Sequence, residues 1–190
     1  MPVDELLKIL RTEPNAKAAW SAMIDLLSSS YDGKLWHALP QIDIRPDVTA
    51  AVSWLQASLD RVRAPLGVYL GLDTLNMKGG AGHNVELGWT PRVNIEAQDA
   101  DWIYDGLEYG PKHLIEGLLA LHSVYSRGEW AEVYSPADYL LPLGYAGVVL
   151  REALRAAKLQ EPVLAAWGFH DGDMFLLGRM SAGGFVTLAQ

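Results

Sequence analysis

The chain has 190 residues, a formal net charge of −8 and no cysteine. The lack of cysteine excludes disulfides, thiolate metal sites and a cysteine nucleophile, and it fits a reducing compartment. Half of the residues are hydrophobic, which indicates a globular chain and not a disordered one.

The distribution of charge and apolar residues excludes two classes of partner. Between residues 64 and 130, four basic residues are outnumbered by nine acidic ones, and such a segment repels a phosphate backbone. No run reaches the roughly 18 apolar residues of a membrane span. The acidic first segment also lacks the basic start of a signal peptide. We therefore expect a cytoplasmic protein that binds neither nucleic acid nor membranes.

The first third of the sequence predicts helices. Asp47 is predicted to cap the third of them, and Pro65 to end it. We assign residues 1–63 to a helical N-terminal part. Apolar residues recur there with the helical period, at Val3, Leu6, Leu7 and Leu10, at Trp20, Met23, Ile24 and Leu27, and at Val48, Val52, Leu55 and Leu59.

Residues 64–190 predict a sheet interrupted by two helices. One helix is predicted to begin at Pro111, because proline is favoured in a first helical turn. The segment 135–142 predicts a single helical turn, and 143–160 a long helix with small residues for close packing. Strands are predicted for LGVYLGL (66–72), NVELGWT (84–90), RVNIEA (92–97) and EWAEVY (129–134).

The last thirty residues predict a three-stranded antiparallel meander. Asp171-Gly172 separates two apolar runs, which predicts a tight hairpin with both turn residues at positive φ. Residues 181–184 predict a second, looser hairpin. The whole chain therefore predicts one α+β domain, residues 1–190, with N-terminal helices packed on a mostly antiparallel sheet.

The stretch KGGAGHN (78–84) resembles the phosphate-binding loop of ParA-type ATPases in its order of lysine and glycines. His83 and Asn84 stand where such a loop needs a second lysine and a hydroxyl. The residues that follow alternate as in a strand, so no helix N-terminus follows to bind phosphate. We predict a glycine-rich turn with Lys78, His83 and Asn84 at an exposed tip, and we predict no cofactor.

No serine elbow or metal-binding histidine pair occurs, so no catalytic residue is assigned and a non-enzymatic role is favoured. His170, Asp171 and Asp173 offer metal-ligand atoms, but the Asp-Gly turn explains this pattern without a metal, and none is predicted. The alternative function is a small-ligand or metal-binding enzyme. Its pocket would lie between the 78–84 loop and the 170–173 hairpin, with the polar groups Lys78, His83, Asn84, His113 and His170.

The segment DADWIYDGLEY (99–109) interleaves acids with aromatics. Aromatic residues are enriched in interface hot spots, and acids attract basic partners. The other interpretation is an acidic loop whose aromatics pack on the core. We predict a small acidic protein-binding module, such as an immunity-type inhibitor of a basic protein, with homo-oligomers left open. The predicted partner-binding residues are Asp99, Asp101, Trp102, Tyr104, Asp105, Glu108 and Tyr109.

Overall fold

The computed structural model describes residues 2–30, 36–62, 67–77, 80–125, 136–157, 162–170, 172–181 and 183–188. The helices in these ranges are α1 (Pro2–Thr12), α2 (Ala16–Ser30), α3 (Arg45–Leu59), α4 (Glu116–Tyr125) and α5 (Pro136–Ala156), with 3₁₀ helices at Trp36–Gln41 and Asp101–Asp105. The strands are β1 (Gly67–Met77), β2 (Gly80–Thr90), β3 (Glu108–Leu114), β4 (Val163–Phe169), β5 (Met174–Ser181) and β6 (Gly184–Thr187).

The strands form one sheet in the order β3-β2-β1-β4-β5-β6. Strands β1 and β4 are parallel at its centre, and every other neighbouring pair is antiparallel. Each half is thus a three-stranded meander that starts at the centre and runs outwards, and α4 and α5 connect the halves. The predicted α+β fold, with its mostly antiparallel sheet and C-terminal meander, is confirmed.

Helix α5 lies between α1 and the sheet. A Cβ added at Gly147 would lie 2.9 Å from Leu10 of α1 and 3.0 Å from Trp167 of β4. Only glycine fits between these two neighbours, as the small residues of this segment predict. The predicted break between residues 135–142 and the long helix is wrong. Pro142 lies inside one continuous 21-residue helix, whose buried leucines stabilise it against the missing hydrogen bond.

The predicted elements around β3 need correction. Residues 92–97 form turns and not a strand, because the Asn94 side chain accepts the Glu96 N–H at 3.0 Å and competes with sheet pairing. Pro111 lies in β3, and helix α4 begins only at Glu116. The β2–β3 register shifts beside Pro111, so its missing N–H falls at a bulge, where proline is tolerated.

The first C-terminal hairpin is present. Gly172 donates its N–H to the Phe169 carbonyl, and Phe169 donates its N–H to the Asp173 carbonyl, each at 3.3 Å. The predicted φ values of the turn depend on Asp171 and stay a prediction. The second hairpin pairs Ser181 with Gly184 as predicted. Asp171 and the predicted strand 129–134 lie outside the described residues.

Asp47 caps a different helix from the one predicted. Helix α3 begins two residues before Asp47 and has no side-chain cap. The buried carboxylate instead accepts the N–H groups of Glu116 and Gly117, at 3.0 and 2.8 Å, and the Tyr145 hydroxyl at 2.8 Å. Burial, and then the bond to Asp47, raise the pKa of Tyr145. Asp47 therefore caps α4 and joins α3, α4 and α5.

We expect Asp47→Ala to lower the free energy of unfolding by about 3 kcal/mol, because it leaves three buried donors unpaired. Tyr145→Phe removes one of these bonds and should cost about 1 kcal/mol. Urea denaturation measures both. Asp25→Ala, at an exposed acid of α2, is the control and should stay within about 0.5 kcal/mol of the parent. An Asp47→Ala chain as stable as this control would contradict the assigned role.

Candidate functional site

Residues 99–109 cover part of one sheet face and present charged and aromatic groups outwards. Trp102 and Ile103 are buried and pack on sheet residues. Tyr104, which follows them, is 73% exposed. The acids around it are exposed as well. We call this the acidic surface, and its members are Asp99, Asp101, Tyr104, Asp105, Glu108 and Tyr109.

The 3₁₀ helix that carries Tyr104 is fixed at both ends. The Asp99 carboxylate accepts the Asp101 N–H at 3.3 Å, an Asx turn typical of such starts. Gly106, with φ of 87°, ends the helix in a conformation that favours glycine. The Trp102 ring lies 2.7 Å from where a Cβ at Gly67 would be. The backbone beneath Tyr104 is therefore ordered before any partner binds.

The structure bears on the second interpretation of the 99–109 segment, and binding by its exposed residues stays a prediction. Trp102 packs on the sheet, so it anchors the acidic surface and offers no contact area to a partner. The other six predicted residues are exposed. Tyr109 lies in β3 and is 50% exposed.

A second group of polar side chains lies on the same face of the sheet, next to the acidic surface. Cross-strand pairing aligns Gly71 with Glu86, and Glu86 with Lys112, and paired residues share a face. Lys112 forms an ion pair with Asp73, and His170 Nε2 lies 3.2 Å from Glu86 Oε2. We call this the sheet-face cluster, and its members are Asp73, Glu86, Tyr109, Lys112 and His170.

His170 occupies space that a glycine leaves open. A Cβ at Gly71 would lie 2.7 Å from the imidazole ring. The His170 N–H donates to the Leu72 carbonyl at 3.1 Å, which continues the β1–β4 pairing by one residue. Its ring contacts Tyr69 edge-on and Tyr109 at a tilt, with centroid distances of 5.8 and 5.7 Å. The sequence assigns His170 and Tyr109 to two different candidate sites. In the structure the two residues are in contact.

Two groups of the cluster have shifted pKa values. Burial, and secondarily the charge of Glu86, raise the pKa of Tyr109. The hydrogen bond to Asp73 raises the pKa of Lys112. At neutral pH the Tyr109 hydroxyl is therefore uncharged, and the Lys112 amine is a cation paired with Asp73.

His113 lies on the opposite face of the sheet from His170. It pairs with Val85, a core residue beneath the helices. Its ring stacks on Trp54 of α3 at a centroid distance of 5.2 Å. Burial lowers its pKa, and the nearby Asp47 charge opposes that shift. The sheet separates the two histidines, so they do not line one pocket.

Of the remaining predicted ligand residues, only Asn84 has a side chain that the structure describes. Lys78 and the side chain of His83 lie outside the described residues. Asn84 lies in β2 on the cluster face, since it pairs with Asp73. Asp173 accepts the Tyr139 hydroxyl at 2.9 Å. Within the described ranges, no three His, Asp or Glu side chains are arranged to hold a metal ion.

One cavity of about 420 Å³ lies between α2 and the segment 41–45. Trp20, Ile24 and Ile42 contribute apolar lining. None of the residues predicted for the acidic surface or for the ligand pocket lines this cavity. The predicted ligand site and this cavity are therefore unrelated.

Sequence reasoning missed three members of the sheet-face cluster. Glu86 stands between Val85 and Leu87, and strand alternation alone places it on the face away from the core. Asp73 follows the predicted first strand by one residue. Lys112 falls within the wrongly predicted helix from Pro111, so its position on a strand beside Glu86 could not be recognised.

No protein-family model, no curated protein and no solved structure matches this chain. Among the residues that the structure describes, every helix is too short or too polar to cross a membrane. Any function of the acidic surface and the sheet-face cluster is therefore inferred from their geometry and charge alone.

Gly71→Ala should displace the His170 ring, because the added methyl group would overlap it. We expect a loss of about 1–3 kcal/mol in the free energy of unfolding and changed NMR signals of the His170 imidazole. Gly183→Ala is the control, since its Cβ would meet only the Ser181 hydroxyl at 3.7 Å. Unchanged imidazole signals in the Gly71→Ala protein would contradict the close packing of His170 on β1.

Proposed function

We propose that this chain is a protein-binding module whose acidic surface docks a basic partner protein. The observation that carries this proposal is the exposure of Tyr104, at 73%, on a 3₁₀ helix held by two buried anchors. A large aromatic side chain is kept out of the core although its neighbours Trp102 and Ile103 are buried.

The composition of this surface is that of an interface. Tyrosine combines a large contact area with a hydroxyl and loses little conformational freedom on binding. The acids around Tyr104 would attract a basic partner during approach, and the net charge of −8 acts in the same direction. The ordered backbone lowers the entropy lost when the complex forms.

The specific form of this proposal is an immunity-type inhibitor that binds a basic toxin and blocks its site by occlusion, in the cytoplasm. The acidic surface supports it over the alternative of a ligand-binding enzyme. That alternative requires His113 and His170 in one pocket, and the sheet lies between them.

The double charge reversal Asp101→Lys and Asp105→Lys should slow association by about tenfold or more and flatten its salt dependence, because it removes the steering charge. The partner is first captured from the native host with the tagged chain at low salt, and surface plasmon resonance then measures the rates. The matched control reverses Glu5 and Asp25, two exposed acids of α1 and α2. Equal rates for both double variants would refute the acidic surface as the docking site.

Tyr104→Ala should mainly raise the dissociation rate, by about 30-fold, as expected for a hot-spot aromatic worth about 2 kcal/mol. Val186→Ala is the control, because Val186 on β6 is also exposed but lies outside the acidic surface. The same sensorgrams supply both rates. An unchanged dissociation rate for Tyr104→Ala would show that Tyr104 is not part of the interface.

A further inference from the structure

We infer that Glu86 of the sheet-face cluster receives a guanidinium group, supplied by an arginine side chain of the basic partner. Glu86 offers a carboxylate to which no described residue donates a hydrogen bond, Tyr109 offers an aromatic ring beside it, and the cluster adjoins the acidic surface. The source of the guanidinium rests on the proposed function, whereas the site itself rests on the geometry of the cluster.

Among the residues that the structure describes, none donates a hydrogen bond to the Glu86 carboxylate. Its side chain is only 20% exposed. His170 Nε2 approaches to 3.2 Å, but that nitrogen is buried and makes no hydrogen bond within the described part of the chain. A carboxylate removed from most of its water without compensating donors is unfavourable. A ligand that brings N–H donors would relieve this cost.

The neighbouring cation does not neutralise Glu86. Lys112 forms its ion pair with Asp73. By formal charge, Asp73, Glu86 and Lys112 together carry one excess negative charge. That charge reaches both neighbours, since Glu86 contributes to the raised pKa values of Tyr109 and Lys112. The uncompensated charge makes a cation the favoured ligand.

Tyr109 gives the site its preference for a planar cation. A Cβ at Gly88 would lie 3.2 Å from the Tyr109 ring, and Gly88 follows Glu86 on the same face of β2. The ring therefore lies low on the sheet, next to the carboxylate, and remains half exposed. Guanidinium can stack on such a ring while donating two parallel hydrogen bonds to a carboxylate. An ammonium group makes neither contact as well.

The position of the cluster indicates where the arginine comes from. Tyr109 belongs to the cluster and to the acidic surface, and Tyr104 precedes it by only five residues. A partner docked on the acidic surface would place its edge over Glu86. An arginine at that edge would reach the carboxylate without any rearrangement of the sheet.

The test uses the full-length protein and L-argininamide as the probe, with the ring signals of His170 and Tyr109 followed by NMR. We expect saturable shifts with argininamide and none with citrullinamide, which has the same shape and α-amino group but an uncharged urea in place of the guanidinium. Glu86→Gln should raise the dissociation constant by about tenfold or more, because it removes a charge-assisted bidentate pair. Asp25→Asn, which removes one charge on α2, should leave the constant unchanged.

Three results would overturn the inference: no saturable shift in the parent protein, equal shifts with citrullinamide, or the same dissociation constant in Glu86→Gln and Asp25→Asn. The parent titration alone decides the matter if Glu86→Gln does not fold.

The two proposals fail separately. If the chain binds argininamide but captures no partner, the guanidinium site is supported and the proposed function fails. If the affinity for the partner instead falls on charge reversal at Asp101 and Asp105 and stays the same in Glu86→Gln, that result would show docking on the acidic surface without the arginine contact.

Discussion

The hydrogen bonds of the buried Asp47 carboxylate govern how the two halves of the sheet meet. The crossover from β3 to β4 runs through α4 and α5, and Asp47 joins both helices to α3 through Gly117 N–H and the Tyr145 hydroxyl. A Cβ at Gly117 would lie 2.0 Å from that hydroxyl, so the junction admits no larger residue. Because it fixes the crossover, it also fixes the return of β4 beside β1. The position of His170 over Gly71 follows from that pairing.

A second buried charge, this one positive, holds the end of α1 against α5. Arg151 of α5 has no exposed surface, and it donates to the Leu10 and Glu13 carbonyls at 2.6 and 3.1 Å. Its Nε also donates to Glu152 at 2.7 Å. The carbonyl end of α1 thus receives a cation, and the N–H end of α4 receives an anion, as each helix dipole favours. Buried charges are tolerated here because helix ends supply their partners.

Periodicity in the sequence predicts most of the elements, while the site depends on contacts between distant segments. The helical stripes of α1 to α3 follow from local physics, and so do the apolar runs that predict the C-terminal strands. Pro111 misled because proline suits both a first helical turn and a strand bulge, and only the partner strand distinguishes them. The acidic surface is contiguous in sequence and was predictable. The contact of His170 with Glu86 joins residues 84 positions apart across a parallel pairing that no local pattern encodes.

The acidic surface and the sheet-face cluster lie on one face of the sheet. Where the sheet residues are apolar, as at Leu164 and Leu176, the segment 91–107 packs over them. At Glu86 and Lys112 the same face becomes polar. A purely polar surface would be well solvated by water. In this polar part of the sheet face, however, Tyr109 and Leu114 expose 50% and 43% of their surface. Exposed tyrosine and leucine side chains beside charged groups also occur at protein interfaces, and this composition is the physical ground for proposing a protein partner.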